Sequence, residues 1–196
     1  MNKILTGLIV SSLMVLSAEA IETHEEVHHD KSSFYVATKV MYTLGASIKE
    51  ETSSLDGGKG QGLGIDLGYR VGNGFSIEID GTYDHDTITE KKSNGEQHDV
   101  SASYITSSLD VAYTVHPTEE LGLFIKGGYE YEFEKIDALS VHTLNKGFIY
   151  AAGTEYELSE TVAIIGEYEV ATIKGPRGNS IFAGMVYSFY IINSKD

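Results

Sequence analysis

The sequence predicts an all-β fold, an eight-stranded antiparallel up-and-down barrel whose strands cross a membrane. Three observations carry this prediction. Apolar and polar residues alternate with a period of two in eight segments, which is typical of β-strands. The segments between them are long or moderate after odd-numbered strands and short after even-numbered ones. The chain opens with a segment typical of an export signal, and no later stretch has the roughly 18 consecutive apolar residues of a membrane-spanning helix.

The last predicted strand, Ser180 to Tyr190, organises the rest of the chain. It reads SIFAGMVYSFY, and one face carries Ile181, Ala183, Met185, Tyr187 and Phe189. Its length matches the roughly 9–11 residues of a tilted strand that crosses a bilayer. We therefore interpret it as the closing strand of the barrel, against which the first strand pairs.

Composition fits a curved sheet and excludes some functions. The 196 residues include 21 Gly and 13 Tyr but only 2 Pro and no Cys, so neither disulfides nor thiol chemistry contribute. Glycine suits crowded, curved sheets, and tyrosine suits membrane interfaces. The formal net charge of −15 argues against nucleic acid as a partner, because its phosphates would repel the protein.

The chain divides into three segments. Residues 1–20 have a basic start, an apolar core and the small-residue site Ala18-Glu19-Ala20, which predict a cleaved signal peptide. Residues 21–33 form a short polar tail in the periplasm, and residues 34–196 form the barrel domain. Within the tail, His24 to His28 match H-E-x-x-H, a zinc-protease motif. No apolar helix face accompanies it, so we interpret this segment as a flexible tail.

The predicted strands and their connections set the topology. The strands run over about Phe34 to Ala46, Gln61 to Val71, Phe75 to Asp84, Asp99 to Val115, Leu121 to Glu134, Gly147 to Glu157, Thr161 to Ala171 and Ser180 to Tyr190. Gly72-Asn73-Gly74 is predicted to be a tight turn, since these residue types tolerate positive φ. Long connections after odd strands and short turns after even strands are typical of an outer-membrane barrel with both termini in the periplasm.

The lumen face of the predicted barrel is acidic. Its acids are Asp66, Glu78, Asp80, Asp110, Glu130, Glu132, Glu155, Glu167 and Glu169, and its cations are Lys39, Arg70 and Lys126. We predict a lumen polar network of Lys39, Asp66, Arg70, Glu78, Asp80, Asp110, Lys126 and Glu130. Asp66 and Asp80 are expected to lie nearly opposite each other and to need Lys39, water or a bound cation between them.

The remaining cations lie mostly in or beside the predicted extracellular loops, and none faces the predicted lipid surface. Ordinary solubility explains loop cations of this kind. A sharper hypothesis is that some contact phosphates of lipopolysaccharide; the candidates are Lys91, Lys92, Lys174 and Arg177.

The signal peptide, strand number, loop lengths and closing GMVYSFY resemble those of the small OmpA/OmpX-type eight-stranded barrels, including opacity-type surface proteins. This resemblance implies a monomer in the bacterial outer membrane, with outer-membrane lipid and lipopolysaccharide as partners and a surface partner outside the cell. It supplies no catalytic, cofactor-binding or metal-binding residue, and we assign none and expect no cofactor. The chain continues six residues beyond Tyr190, whereas such barrels often end on the aromatic residue.

The sequence is compatible with several functions. The first is a structural or surface-interaction protein, adhesive or envelope-stabilising. The alternative is a small cation-preferring porin, which the acidic lumen favours and the narrow interior of eight strands opposes. A lipid A-modifying enzyme is less favoured: His85, His98 and His142 lie near the predicted outer rim with Ser93, Ser101 and Ser140, but their spacing matches no motif. A soluble ligand-binding barrel is the remaining alternative.

Overall fold

The computed structural model describes residues 33–49 and 53–190. The predicted signal peptide, the tail with its H-E-x-x-H motif and the last six residues lie outside the described part of the chain. Within that part, no helix is long and apolar enough to cross a membrane, a statement that does not bear on crossing by strands.

In this described part of the chain, ten strands form one antiparallel sheet, and eight of them close into a ring. The strands are β1 (Ser33–Thr43), β2 (Ser47–Lys49), β3 (Ser53–Gly57), β4 (Gly60–Gly72), β5 (Phe75–Lys92), β6 (Gln97–Val115), β7 (Leu121–Ile136), β8 (Val141–Ser159), β9 (Val162–Ala171) and β10 (Ser180–Tyr190). The ring runs β1, β4, β5, β6, β7, β8, β9 and β10 and returns to β1. The predicted eight-stranded barrel is therefore confirmed, with β2 and β3 as a short hairpin added outside the ring.

The barrel closes where β1 pairs with β10. Their register runs without interruption from Ser33 opposite Tyr190 to Thr43 opposite Ser180. Closure leaves no unpaired edge in the wall, so every backbone group in the pairing finds a partner without water. The last strand thus has the closing role that its sequence predicts.

The wall is apolar outside and polar inside, the reverse of a soluble protein. On β7, Ile125 faces outward with 64% of its surface exposed, whereas the adjacent Lys126 faces inward and is 5% exposed. The same alternation holds for Leu67 and Asp66 on β4. A surface of this kind is stable only against lipid, and a lumen of this kind must satisfy its own charges.

At one end of the barrel, short turns follow β4, β6 and β8, which are the second, fourth and sixth strands of the ring. Gly72, Asn73 and Gly74 all have positive φ, which confirms the predicted tight turn between β4 and β5. Five residues join β6 to β7, and two join β8 to β9. By the usual orientation of these barrels this is the periplasmic end.

The opposite, outer end contains more regular structure than the sequence predicts. The segment from His85 to His98, expected to be a loop, mostly continues β5 and β6 as a hairpin, and β3 pairs with the top of β5. The segment 135–146 also consists mostly of strand, with a single 3₁₀ turn at Asp137–Leu139. A buried apolar cluster holds these extensions together; its members are Leu55, Ile88, Ala102, Tyr104 and Ile136.

Candidate functional site

The charged lumen is the candidate functional site, and its lowest level lies near the periplasmic end. Arg70 on β4 donates to the Glu155 carboxylate at 2.7 Å and to the Ser188 hydroxyl at 2.6 Å. Its guanidinium also lies over the Tyr35 ring, 4.6 Å from the ring centre. These contacts join β4 to β8, β10 and β1 across the lumen, because the inward positions of separate strands converge there.

The central charge cluster comprises Lys39, Lys126, Asp66, Glu78, Asp80 and Glu167. The Lys126 ammonium lies 2.7 Å from an Asp80 oxygen, 3.1 Å from Glu167 and 3.2 Å from Glu78. The Lys39 ammonium lies 2.7 Å from Asp66 and 3.3 Å from the other Glu167 oxygen. Glu167 therefore bridges the two lysines, a role that the sequence did not indicate although it placed this residue on the lumen face.

Asp66 and Asp80 are directly opposite each other in the β4–β5 register. Lys39, the expected partner, contacts Asp66 closely but is 4.0 Å from Asp80. Lys126 takes the place of partner to Asp80 instead. Each aspartate thus has its own lysine. Lys39 on β1 pairs with Asp66, and Lys126 on β7 pairs with Asp80.

Glu78 is held from a second side by a tyrosine. The Tyr35 hydroxyl donates to Glu78, and a Ser76 hydroxyl lies beside both. Asp110 lies opposite Glu78 in the β5–β6 register and accepts a hydrogen bond from Ser108 at 2.7 Å. All eight residues of the predicted lumen network face the interior, but only some of them contact each other.

An outer compartment lies above this cluster and is centred on Arg177. The Arg177 guanidinium donates to Glu130 at 2.7 Å and lies 3.0 Å from Glu132. Only 2% of its surface is exposed. Glu130, a member of the predicted network, therefore pairs with a residue that the sequence assigned to another site.

The connection between β9 and β10 carries Arg177 into the lumen and covers the outer mouth. Three backbone amides, those of Leu44, Gly45 and Ala46, donate to carbonyl groups of residues 176–179 at 2.8 to 3.1 Å. The fit is tight, because a Cβ at Gly57 would lie 1.8 Å from the Pro176 carbonyl oxygen. The prediction that Arg177 contacts lipopolysaccharide is wrong, since its charge is buried and neutralised by Glu130 and Glu132.

The other predicted lipopolysaccharide contacts are on the surface. Lys91 lies 2.5 Å from Asp56, and this hydrogen bond, with one from Ser47, holds the pKa of Asp56 below its usual value. Lys92 and Lys174 are exposed. Lys91 is thus already neutralised by the β3 hairpin, whereas the two other lysines point to solvent.

A cavity leads from the periplasmic end up to the central charge cluster. We call it the vestibule; the residues of its mouth include Gly72, His116 and Ser159, and its inner end is lined by Asp66 and Glu78. It contains about 960 Å³ of space not filled by atoms, part of which is continuous with solvent. The lumen is therefore accessible from the periplasmic side and covered on the outer side.

The histidines considered for an enzyme site are dispersed. His85, His98 and His142 are exposed and belong to three different strands. The His85 ring contacts the Ser103 hydroxyl at 3.1 Å, and His142 lies 4.0 Å from the exposed Asp137. In the described ranges these contacts bring no histidine, serine and carboxylate together in one constellation.

Known structures share this architecture. The chain resembles the outer membrane protein OprG from Pseudomonas aeruginosa with a TM-score of 0.67 at 12% sequence identity, over 85% of this chain and 100% of that one. It resembles Neisserial surface protein A with a TM-score of 0.59 at 17% identity, over 81% and 99% of the two chains. It resembles the outer membrane protein AlkL with a TM-score of 0.54 at 12% identity, over 89% of this chain and 98% of that one. At these identities the likeness shows the fold alone.

Sequence comparison identifies the family. No curated protein sequence matches the chain significantly. A family model described as the outer membrane protein β-barrel domain matches residues 8–189, which is most of the sequence. Together with the closed ring of eight strands and the apolar outer wall, this match places the protein in the bacterial outer membrane, and the chain belongs to the outer membrane protein β-barrel domain family.

Proposed function

We propose that this protein is a sealed outer-membrane barrel with a structural and surface-interaction role, adhesive or envelope-stabilising. The observation that carries the proposal is the cover over the outer mouth, where the β9–β10 connection buries Arg177 between Glu130 and Glu132. A second barrier lies below it, because Lys39 from β1 and Lys126 from β7 are both held at the centre of the lumen, where Glu167 from β9 contacts the two ammonium groups. Two such barriers disfavour diffusion through the lumen.

The outer strand extensions support a role at the surface. β5 has 18 residues and β6 and β8 have 19 each, whereas roughly 9–11 residues suffice to cross a bilayer. The apolar cluster around Ile88 and Tyr104 packs the extensions together. Strands with their own core present a fixed surface to a partner, so binding loses less conformational entropy than binding by mobile loops.

The first test is conductance of the refolded barrel in a planar lipid bilayer. We expect no steady current steps from protein whose folding is verified by heat-dependent gel mobility. Cation-selective steps that change in Asp66→Asn or Asp80→Asn would establish the small porin instead. A channel would also require both the Arg177 segment and the lysine pair to move.

Contact with lipopolysaccharide is a second part of the proposal, now limited to Lys92 and Lys174, because Lys91 and Arg177 are paired with acids. Both lysines are exposed at the outer end of the barrel. We expect Lys92→Gln with Lys174→Gln to weaken binding to diphosphorylated lipid A in bilayers but to leave binding to monophosphorylated lipid A less affected. Equal binding by wild type and variant to both lipids would contradict this assignment.

A further inference from the structure

Three buried carboxylates converge in the central charge cluster. Asp66, Glu78 and Asp80 each offer one oxygen, and these oxygens all lie within 4.8 Å of one another. Their side chains come from neighbouring strands and are 2%, 8% and 6% exposed. Oxygens at such separations can be bridged by one ion, since Ca²⁺ and Mg²⁺ bind carboxylate oxygens at about 2.0–2.6 Å.

The two lysines use only one side of the aspartates. Lys39 contacts Oδ2 of Asp66, and Lys126 contacts Oδ2 of Asp80. The Oδ1 atoms of both aspartates are buried and receive no hydrogen bond from a donor among the described residues, and the Asp80 carboxyl also contacts the carboxyl of Asp110. A buried carboxylate oxygen without a donor is costly. These free oxygens therefore indicate a ligand that binds where the ammonium groups do not reach.

Charge also favours a further cation at this level. Lys39 and Lys126 carry two positive charges, and they face five buried carboxylates, which are Asp66, Glu78, Asp80, Asp110 and Glu167. With all seven groups ionised, the formal charge at this level is −3. A divalent ion would reduce it to −1, whereas a third lysine would still leave −2. Uncompensated buried charge is destabilising, and a divalent ion would offset more of it than a third lysine would.

The vestibule supplies a route to the carboxylates of Asp66 and Glu78, which lie beside Asp80. Its lining includes Asp66 and Glu78 at the inner end, and it opens between the short turns at the periplasmic end. An ion that enters by this route can keep some of its water ligands on the vestibule side. Retained water suits Mg²⁺ in particular, which dehydrates reluctantly, and also completes the larger shell of Ca²⁺.

We propose that Asp66, Glu78 and Asp80 form a binding site for one divalent metal cation that enters from the periplasm. One carboxylate oxygen each of Asp66, Glu78 and Asp80 is a protein ligand, and water supplies the rest. Hard oxygen donors of this kind select Ca²⁺, Mg²⁺ or Mn²⁺ over metals that prefer sulfur or imidazole. The inference is independent of the proposed surface role, because the site faces the other compartment.

Calorimetric titration of the refolded full chain with Ca²⁺, in a zwitterionic detergent, tests the site. We expect one ion per barrel, and an affinity at least about ten-fold lower in Asp66→Asn and in Asp80→Asn. Asp84→Asn is the matched control: it removes an equally buried carboxylate from the outer compartment and should leave the affinity unchanged. A flat wild-type titration, or an equal loss in the control, would overturn the proposal.

Terbium luminescence gives a second readout that does not depend on the folding of the aspartate variants. Tb³⁺ replaces Ca²⁺ at oxygen sites, and a nearby tyrosine can sensitise its emission. The Tyr35 hydroxyl contacts Glu78, so we expect Tyr35→Phe to reduce the emission from the wild-type level. Tyr83→Phe, on the outward face of β5, should not. Emission that survives Tyr35→Phe intact would place the ion elsewhere, and the assignment would fail.

Discussion

At the scale of single residues, a missing side chain on β4 makes room for the contacts of Tyr35. A Cβ at Gly68 would lie 2.0 Å from Cζ of the Tyr35 ring. The ring fills this space and thereby reaches both Glu78 and the Arg70 guanidinium. Glycine is required here by close approach of a neighbouring strand's side chain, not by backbone conformation.

We predict that Gly68→Ala destabilises the barrel by about 1–3 kcal/mol, the usual cost of overpacking. The added methyl group would displace the Tyr35 ring and weaken its bond to Glu78. The measurement is reversible urea unfolding in lipid vesicles. Gly81→Ala is the control, because a Cβ there meets only the Thr106 carbonyl oxygen at 3.8 Å; equal losses in both variants would show that the ring contact is unimportant.

Lys126 provides a second prediction at this scale. Its ammonium is the shared partner of Glu78, Asp80 and Glu167. Lys126→Met would keep the aliphatic volume but leave these carboxylates short of a counter-ion, and we expect a loss of about 3–5 kcal/mol in unfolding free energy. Lys92→Met, at an exposed position, should change stability by less than about 0.5 kcal/mol. A comparable loss in both would argue against the buried pairing.

The residue-scale prediction from sequence has a clear physical limit. Strand alternation assigns Lys39, Asp66 and Lys126 to the lumen, because period two fixes the face on which a side chain lies. It does not determine which residues meet across the lumen, since this depends on stagger and tilt around the whole ring. The bridging role of Glu167 follows from that geometry. No alternation applies to Arg177, which belongs to a connection.

At the scale of elements, polarity alone misidentifies strands that extend beyond the membrane. The top of β5 is polar on its outward face, so the sequence predicts a loop after Asp84. Inward-facing Ile88 and Tyr104 instead join an apolar cluster above the lumen. The alternation of inward and outward residues continues there, but few of the residues are apolar. The segment forms a hairpin because of long-range packing, which cannot be recognised from the local sequence pattern.

The connection between β9 and β10 yields a prediction about exchange of backbone hydrogens. Arg177→Gln removes the ion pairs with Glu130 and Glu132, each a charge-assisted hydrogen bond worth about 1.5–3 kcal/mol. We expect the amides of Leu44, Gly45 and Ala46, which donate to this connection, to exchange at least about ten-fold faster.

Lys174→Gln is the control for this experiment, because it changes an exposed charge in the same connection. In this variant the amides of Leu44, Gly45 and Ala46 should exchange at the wild-type rate. Unchanged exchange in Arg177→Gln would mean that the backbone bonds hold the cover without the buried guanidinium.

At the scale of the whole molecule, closure depends on the β1–β10 seam. Gly184 lies opposite Lys39 there, and a Cβ at this position would lie 2.2 Å from the Thr38 carbonyl oxygen. The neighbouring Ala183 faces outward and is exposed. One residue of the closing strand thus faces a crowded backbone, and the next faces lipid.

We predict that Gly184→Val prevents most molecules from closing, because separating the two strands would leave two unpaired edges in lipid. Ala183→Val should fold as the wild type does. The measurement is the fraction that shows heat-dependent gel mobility after refolding into vesicles. Efficient folding of Gly184→Val would indicate that the seam can widen locally.

The whole-molecule architecture is the part that the sequence predicts best. The number of strands follows from the eight alternating segments, and their direction follows from the alternation of long and short connections. These two observations are enough because strands that cross a membrane must form a closed barrel. The cover over the outer mouth could not be predicted in this way, since it depends on contacts of a connection with Leu44 to Ala46 and with Gly57.

The cover has a topological consequence for the space inside the barrel. Since the vestibule opens at the periplasmic end and the outer end is closed, the lumen is an invagination of the periplasm. In the sealed barrel that we propose, water, protons and ions inside the lumen exchange with the periplasm and not with the external medium. The carboxylates of the central charge cluster would then experience the pH and ion content of the periplasm, although the barrel also reaches the outer face of the membrane.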